Sequence, residues 1–528
     1  MNKIYLLLLL LVVLSCKKQE VKKKTTPAPK APITLIQPEG KALPVDSLLL
    51  EPFKSKTLKE FYKSSGYRTV WQSKKNRKNI LKELLNSQEE GLNPDDYKAT
   101  RLQQYERKIT LLNAKEVVEY DLLLTRNLQK YISHLSNGRV NPRTFYPDWD
   151  LKENKIDINN TIANFLKSDS LAYKIEQLKP NHIVYKRLKK ALVLINSFPK
   201  DDFSKIEIAA KIIPNDSNSA IINIKKRLIY WKDMQNKDSL SSIYDDETLK
   251  AVKKFQFRHG LSADGVIGKG TIEALNFSKT QRKEQILANL ERWKWFPKDM
   301  KAEYVVINIP DYKLTLVKDK DSLRTHNVVV GTAKRRTPVL SSKLSSVVFN
   351  PTWTVPPTIL KEDVIPSITR NRDYLAQKNI KVYDRNGAIV SANNWKLSDA
   401  KGYRYVQSPG TFNSLGMVKI LFQNRFSVYL HDTNHRDYFT KTMRSLSSGC
   451  VRVENPLALT EYLLNDTGNW NLEKITATLK SEKTKQIPLK KAVYVHLLYW
   501  TAWSDKNTLI FRDDIYHLDA NLYQKLRS

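Results

Sequence analysis

A thiol, a histidine and an arginine stand close together in the segment VYLHDTNHRDYFTKTMRSLSSGCVRVENP. Cys450 follows Ser447, Ser448 and Gly449. His431 closes an alternating apolar stretch 19 residues earlier (450 − 431 = 19), and Arg452 lies two residues past the thiol. A thiol nucleophile needs a base or a cation that stabilises the thiolate. It also needs backbone N–H groups for the oxyanion of a tetrahedral intermediate, and those of Gly449 and Cys450 are the candidates. A glycine before the cysteine lets a carbonyl come close to the backbone. In an extended chain Cys450 and Arg452 face the same side, so Arg452 is either a cation beside the thiol or an anchor for a substrate carboxylate. His435 is a rival base, set in a polar loop rather than at a strand end. The plainer reading of a lone cysteine is a small buried hydrophobe; the neighbours of Cys450 argue against it.

The elements that must position these groups are strands. From residue 304 the period becomes two, in YVVINIPDYKLTLVKD, SVVFNPTWTVP and VKILFQNRFSVYLHDT. Residues 301–465 therefore read as a β-rich domain, sandwich-like or a partly closed barrel. Asn424 sits at a hairpin turn, and Asn455-Pro456 opens a helix after the thiol. Residues 357–408 break the pattern with polar, helix-like sequence and read as an inserted cap over the β scaffold. Trp353 either lines a groove or packs in the core, and Tyr429 either positions substrate or packs.

The whole chain is multi-domain α+β. Its 528 residues exceed what one core organises. Residues 46–208 form a helical scaffold; Leu122, Thr125, Leu128, Tyr131 and Ile132 make one stripe before Gly138 stops it. His134 and His182 read there as packing or surface residues. Residues 209–278 form a compact three-helix unit carrying AVKKFQFRHGLSADGVIGKGTIEALN. His259 has no second ligand at metal-binding spacing. Residues 279–300 form a linking helix, and 466–528 a C-terminal extension packing on the scaffold or the catalytic domain.

The net charge of +35 fits a polyanionic partner. The opening MNKIYLLLLLLVVLSC, a secretory signal too short to span a membrane, argues against nucleic acid. Residues 17–45, rich in Lys, Pro and Thr, read as a disordered tether. Of the two cysteines, Cys16 ends the signal, so Cys450 is left as an unpaired thiol in an exported protein.

Three resemblances narrow this picture. Val13-Leu14-Ser15-Cys16 resembles a bacterial lipobox, implying that Cys16 is lipidated and that the protein is anchored to an envelope membrane, facing the periplasm. The alternative is an ordinary cleaved signal. The 209–278 unit resembles the small peptidoglycan-binding domain of wall hydrolases, either active or kept as a scaffold. HDT…SSGCVRVENP, with FNPTWTVP before it, resembles the signature of the L,D-transpeptidase family in its large multi-domain branch. Many members carry His directly before Gly-Cys, where this chain has Ser448; the large branch commonly has Ser-Ser-Gly-Cys. The likeness covers nearly all of the chain after residue 46.

It implies that Cys450 attacks the diaminopimelate carbonyl of a donor tetrapeptide and expels D-Ala, with His431 as general base and acid. It further implies the backbone carbonyl of Asp432 as orienter of His431, Gly449 N–H in the oxyanion hole, and Arg452, Trp353, Tyr429 and Ser448 toward substrate. An amine of a second stem would then resolve the thioester as a 3→3 cross-link. The implied partners are peptidoglycan and, through the lipid, a membrane. The resemblance implies no metal or organic cofactor, and a thiol sensitive to carbapenems. Water as acceptor would make an L,D-carboxypeptidase, and a protein amine a wall-attaching or wall-releasing enzyme. A rival of another class is a non-catalytic wall-binding lipoprotein.

Overall fold

A computed structural model describes residues 40–144, 146–167, 171–464 and 470–528. The signal at 1–16, with Cys16, and most of the tether lie outside the described residues. The tether's last residues do not match the expectation. Leu43 N–H donates to Thr69 Oγ1 and Val45 N–H to Tyr67 O, while Ala42 and Val45 are buried. The scaffold thus begins a few residues before 46, because Leu43–Val45 bonds to the turn at 67–69, with Pro44 bridged to Arg68.

The predicted stripe of the scaffold forms the buried face of its longest helix, Ala114–Asn137, which opens on a capping box between Asn113 and Glu116. Asp121 on that helix is buried and accepts N–H bonds from Val70 and Trp71 and the hydroxyl proton of Tyr62. His134 is bound to the Tyr97 hydroxyl at 2.9 Å, and His182 stacks on Trp293 with ring centres 4.5 Å apart. Both pack, as the sequence indicates.

Three helices, Ala220–Tyr230, Asp246–Arg258 and Lys269–Leu275, make the small unit. His259 is buried there between Phe255 and Phe511. The linking helix, Lys279–Trp295, is buried on most of its sides. It packs against the helix Ile183–Ser197, the helix Asp519–Arg527 and the scaffold's long helix, and so acts as a central strut.

Eight strands form the main path of the β-rich region: β1 Glu303–Asn308, β2 Lys313–Lys318, β3 Asp321–Gly331, β4 Val339–Phe349, β5 Val418–Phe422, β6 Leu430–His431, β7 Val451–Val453 and β8 Tyr494–Leu498. They pair in the order β1-β2-β3-β7-β6-β5-β4-β8, and β8 pairs back onto β1. The path is closed, so of the two arrangements the sequence left open, a sandwich and a partly closed barrel, the barrel is the one that forms. Pairs β6–β7 and β8–β1 are parallel; the others are antiparallel. Alternate residues such as Val305 and Ile307, Leu314 and Leu316, and Val418 and Ile420 fill the interior.

The closing strand comes from the C-terminal extension. The β domain therefore does not end at 465: without β8, the edge of β1 and the Leu340–Lys343 part of β4 would be left unpaired, while Ser346–Phe349 pairs with Lys485–Pro488 of the same extension. Past β8, the hairpin Ala502–Asp505/Thr508–Phe511 packs on the helix Ile183–Ser197 and the last helix on the strut. The cap forms a separate four-stranded sheet around Val355, Ile368, Val382, Trp395 and Tyr405. It starts at Trp353 rather than at 357, since Trp353–Thr354 pairs with Arg404–Gln407. Among the described residues no helix is long and apolar enough to cross a membrane.

Candidate active site

Parity along two neighbouring strands assembles the site. In the parallel β6–β7 pair, Leu430 stands opposite Val451 and His431 opposite Arg452. Leu430, Val451 and Val453 are fully buried in the barrel. The alternate positions 429, 431, 450 and 452 must then face away from the core. All four line a cavity of about 610 Å³ whose walls also include Trp353 and Tyr374 of the cap.

The turn before β7 is braced by Ser447, whose hydroxyl donates to Cys450 O at 2.6 Å and accepts Gly449 N–H at 3.2 Å. Gly449 has φ 111°, a conformation that favours glycine, and a β-carbon there would lie 3.2 Å from Arg336 O. Gly449 N–H is therefore already satisfied. Among the described residues Cys450 N–H has no acceptor, so it is the backbone donor left free at this turn.

Burial pushes the Cys450 thiol above its ordinary value; the backbone and side chain of Tyr429, with Lys419 and Arg452, pull against that. Lys419, opposite His431 on β5, places its ammonium 3.9 Å from the centre of the Tyr429 ring. Burial, and then the charges of Arg452 and Lys419, push His431 down to about 3, against the backbone carbonyls of Asp432 and Leu415. The resting pair is thus a neutral thiol and a neutral imidazole. His431 can accept a proton, and transfer must accompany attack. Among the described residues the thiol and the imidazole form no direct hydrogen bond; they are diagonal neighbours on one wall.

The sequence matches models of known families over three stretches. Residues 302–478 match the L,D-transpeptidase catalytic domain, 56–192 a "Scaffold domain", and 217–275 a "Putative peptidoglycan binding domain". The chain carries an L,D-transpeptidase catalytic domain. A Haemophilus influenzae protein named "Putative L,D-transpeptidase" is 35% identical over 285 residues, which are 52% of this chain and 58% of that protein. Only a little over half of that relative is therefore spanned. The L,D-transpeptidase of Stackebrandtia nassauensis is 14% identical, over 54% of this chain and 97% of that one, with a TM-score of 0.21. The L,D-transpeptidase fragment from Xylanimonas cellulosilytica is also 14% identical, over 55% and 98%, with a TM-score of 0.18.

In this L,D-transpeptidase domain the remaining expected residues divide. Arg452 is half-buried, touches Thr433 Oγ1 at 3.4 Å and lies 5.4 Å from the Tyr438 ring centre. Its Nε is buried without a partner, and among the described residues no carboxylate pairs with it. Trp353 and Tyr429 are half-buried in the cavity wall. Ser448 is exposed, and its hydroxyl accepts from Arg335 at 3.0 Å. Arg335 also binds Glu362 and Asp363, tying the nucleophile turn to the cap. The Asp432 carboxylate binds groups other than the imidazole, accepting Met417 N–H and pairing with Arg436. The Asp432 carbonyl favours the charged ring, yet His431 Nδ1 makes no well-formed bond among the described residues. His435 reaches the same cavity, where its ring stacks on Tyr438.

Sequence reasoning missed Lys419, Ser447, Arg335 and Thr337. Lys419 had a signal: in MVKILFQ it occupies the face opposite Val418 and Ile420. Arg335 and Thr337 had none.

Proposed function

We propose that this chain is a peptidoglycan L,D-transpeptidase forming 3→3 cross-links. The observation that carries the reading is the convergence, on one cavity of the matched domain, of the only thiol past the signal, a neutral imidazole and a guanidinium that has no carboxylate partner among the described residues. Cys450 Sγ attacks the diaminopimelate carbonyl of a donor tetrapeptide, and His431 takes the thiol proton. The oxyanion is held by Cys450 N–H. The bond to D-Ala breaks as His431 returns the proton to the leaving amine, leaving a thioester. The side-chain amine of a second stem then attacks, His431 accepts its proton, and the thiol is restored as the amide forms. Arg452 receives a stem carboxylate through charge-assisted bonds. Ser448 and the cap border the path of the donor. The carbonyl of Asp432 orients the imidazole, and Gly449 N–H joins the oxyanion hole only when Ser447 turns away. The small three-helix unit holds wall polymer. Lipid on Cys16 places the enzyme at an envelope membrane; metabolic labelling with a fatty-acid probe, lost in Cys16→Ala, would support that, and an unlabelled parent would refute it.

The test is to incubate the protein with purified disaccharide-tetrapeptide and analyse the products by mass spectrometry. A dimer lacking one D-Ala supports the reading. Loss of D-Ala alone marks a carboxypeptidase, and no turnover by parent or Cys450→Ala leaves only a wall-binding protein.

A further inference from the structure

One side chain from the C-terminal extension, beyond the stretch matched as the catalytic domain, reaches the nucleophile turn. Tyr516 is 1% exposed and Thr337 is fully buried. The Tyr516 hydroxyl donates to Gly331 O at 2.9 Å and accepts Thr337 N–H at 3.0 Å. The Thr337 hydroxyl accepts Gly331 N–H at 2.8 Å and donates to Gly449 O at 2.9 Å. Each hydroxyl gives its single proton once and accepts once, so the directions of all four bonds are fixed. The loop is tight: a β-carbon on Gly331 would lie 2.1 Å from Arg335 O.

Tyr516 is held in turn from the strut. Its N–H donates to the Tyr499 hydroxyl at 3.1 Å, and the two rings stack. Tyr499 donates to Asp514 at 2.5 Å and lies beneath the Arg292 guanidinium, 5.1 Å away. Arg292 pairs with Asp519, which accepts the Thr501 hydroxyl at 2.7 Å; Thr501 N–H donates to Asn289 Oδ1 at 2.9 Å. Asn289 and Arg292 belong to the linking helix. A buried chain of polar contacts therefore runs from that helix to the carbonyl of the residue before the thiol.

That carbonyl matters because Gly449 C=O and Cys450 N–H share one peptide plane. In a trans peptide the two point in opposite directions. A glycine at φ 111° offers little steric resistance to rotation of that plane. Whatever grips the carbonyl aims the N–H.

We propose that Tyr516, through Thr337, is a positioning residue for the reaction: by holding Gly449 O it keeps Cys450 N–H turned toward the developing oxyanion. The inference rests on the reading of Cys450 as an acyl-accepting nucleophile. It makes the C-terminal extension a working part of the catalytic domain.

The test separates chemistry that needs an oxyanion donor from chemistry that does not. In the full chain, Thr337→Val, Thr337→Ser and Tyr516→Phe are compared with the parent. Acylation of Cys450 by a carbapenem forms a tetrahedral oxyanion; alkylation by iodoacetamide forms none. A lost oxyanion donor costs about a hundredfold or more and a misdirected one less, so Thr337→Val and Tyr516→Phe should acylate about tenfold more slowly. Their alkylation rates should match the parent, and Thr337→Ser, which keeps the hydroxyl, should recover most of the acylation rate. Equal acylation by Thr337→Val and the parent overturns the inference. So does a parallel fall in alkylation, which would mark general disruption, or a Thr337→Ser variant as slow as Thr337→Val. A parent that alkylates but is never acylated also overturns it, since no oxyanion then needs a donor. A parent that acylates but makes no dimer from disaccharide-tetrapeptide sinks the transpeptidase reading and leaves this one to be judged on the variants.

Discussion

The strut and the cavity wall both bury charged groups, and they treat them in opposite ways. In the strut Arg292 is fully buried and paired with Asp519, Lys294 pairs with Glu291, and nearby Arg258 pairs with Asp233. In the wall, Arg452 has no carboxylate among the described residues and His431 Nδ1 has no hydrogen-bond acceptor. Burial works against the charge of both arginines. In Arg292 Asp519, Tyr146, Asp514 and Tyr499 together outweigh it and hold the group above its ordinary value, whereas Arg452 ends below its own. A buried ion is costly unless it is paired. The strut balances the charge internally with a carboxylate, although Arg292 Nε and Nη2 find no hydrogen-bond partner among the described residues, and it is architecture. The wall leaves that cost unmet beside an open cavity, where a substrate carboxylate can meet it.

The sharpest way to break this contrast is to remove a wall group. General acid–base catalysis contributes about 10² to 10⁴ in rate, so His431→Ala should lower kcat/KM for dimer formation by that range with the thermal midpoint nearly unchanged. Equal activity in His431→Ala and loss in His435→Ala would exchange their roles. The converse change is Arg292→Ala in the strut. Leaving Asp519 buried without its cation, with the Thr501 hydroxyl still bound, should cost about 3–5 kcal/mol of stability, read as a lower denaturant midpoint, and a change under about 1 kcal/mol would put the pair among weakly contributing contacts. Arg452→Ala should do the reverse of Arg292→Ala. Losing a charge-assisted bond of about 1.5–3 kcal/mol should raise the donor KM about ten- to a hundredfold while the midpoint barely moves. A fall in stability without a change in KM would make Arg452 a packing residue.

Acidity gives a smaller and separate test. A thiol raised by burial, beside a histidine lowered to about 3, is protonated at neutral pH. Only the thiolate is alkylated, so the rate should climb about tenfold per pH unit from 6 to beyond 8. A plateau already reached at pH 6 would mean a resting thiolate–imidazolium pair and would contradict the neutral assignment. The mildest effect is expected at Arg335. Its bonds to Glu362 and Asp363 are partly exposed and worth about 1 kcal/mol or less each, so Arg335→Gln should change kcat/KM by only a few-fold, through a looser cap.

The same contrast explains what the sequence reveals. The wall is short-range in sequence: YLHD and SGCVR put polar and apolar residues at alternate positions, so the faces of His431, Cys450 and Arg452 follow from parity alone. The buried stripe of Ala114–Asn137 follows from helical period in the same way. The strut's partners are long-range. Asp519 lies 227 residues from Arg292, and Tyr516 lies 179 residues from Thr337. Nothing local in either segment marks the other. The closure of the barrel is hidden for the same reason: β8 is separated from β1 by nearly the whole domain, and only pairing shows that YVHLL belongs to it. The end of the tether is hidden too, because Leu43 and Val45 are too few to show a period before the turn they bond to is seen.

The central claim is that Cys450 carries the acyl group, and intact-mass analysis tests it directly. The full chain is mixed with donor disaccharide-tetrapeptide, quenched in acid at early times and digested for peptide mapping. The predicted result is an adduct equal to the donor less D-Ala, on the peptide that contains Cys450, absent from Cys450→Ala. Cross-linked product forming with no adduct, or with the adduct on another residue, would contradict it.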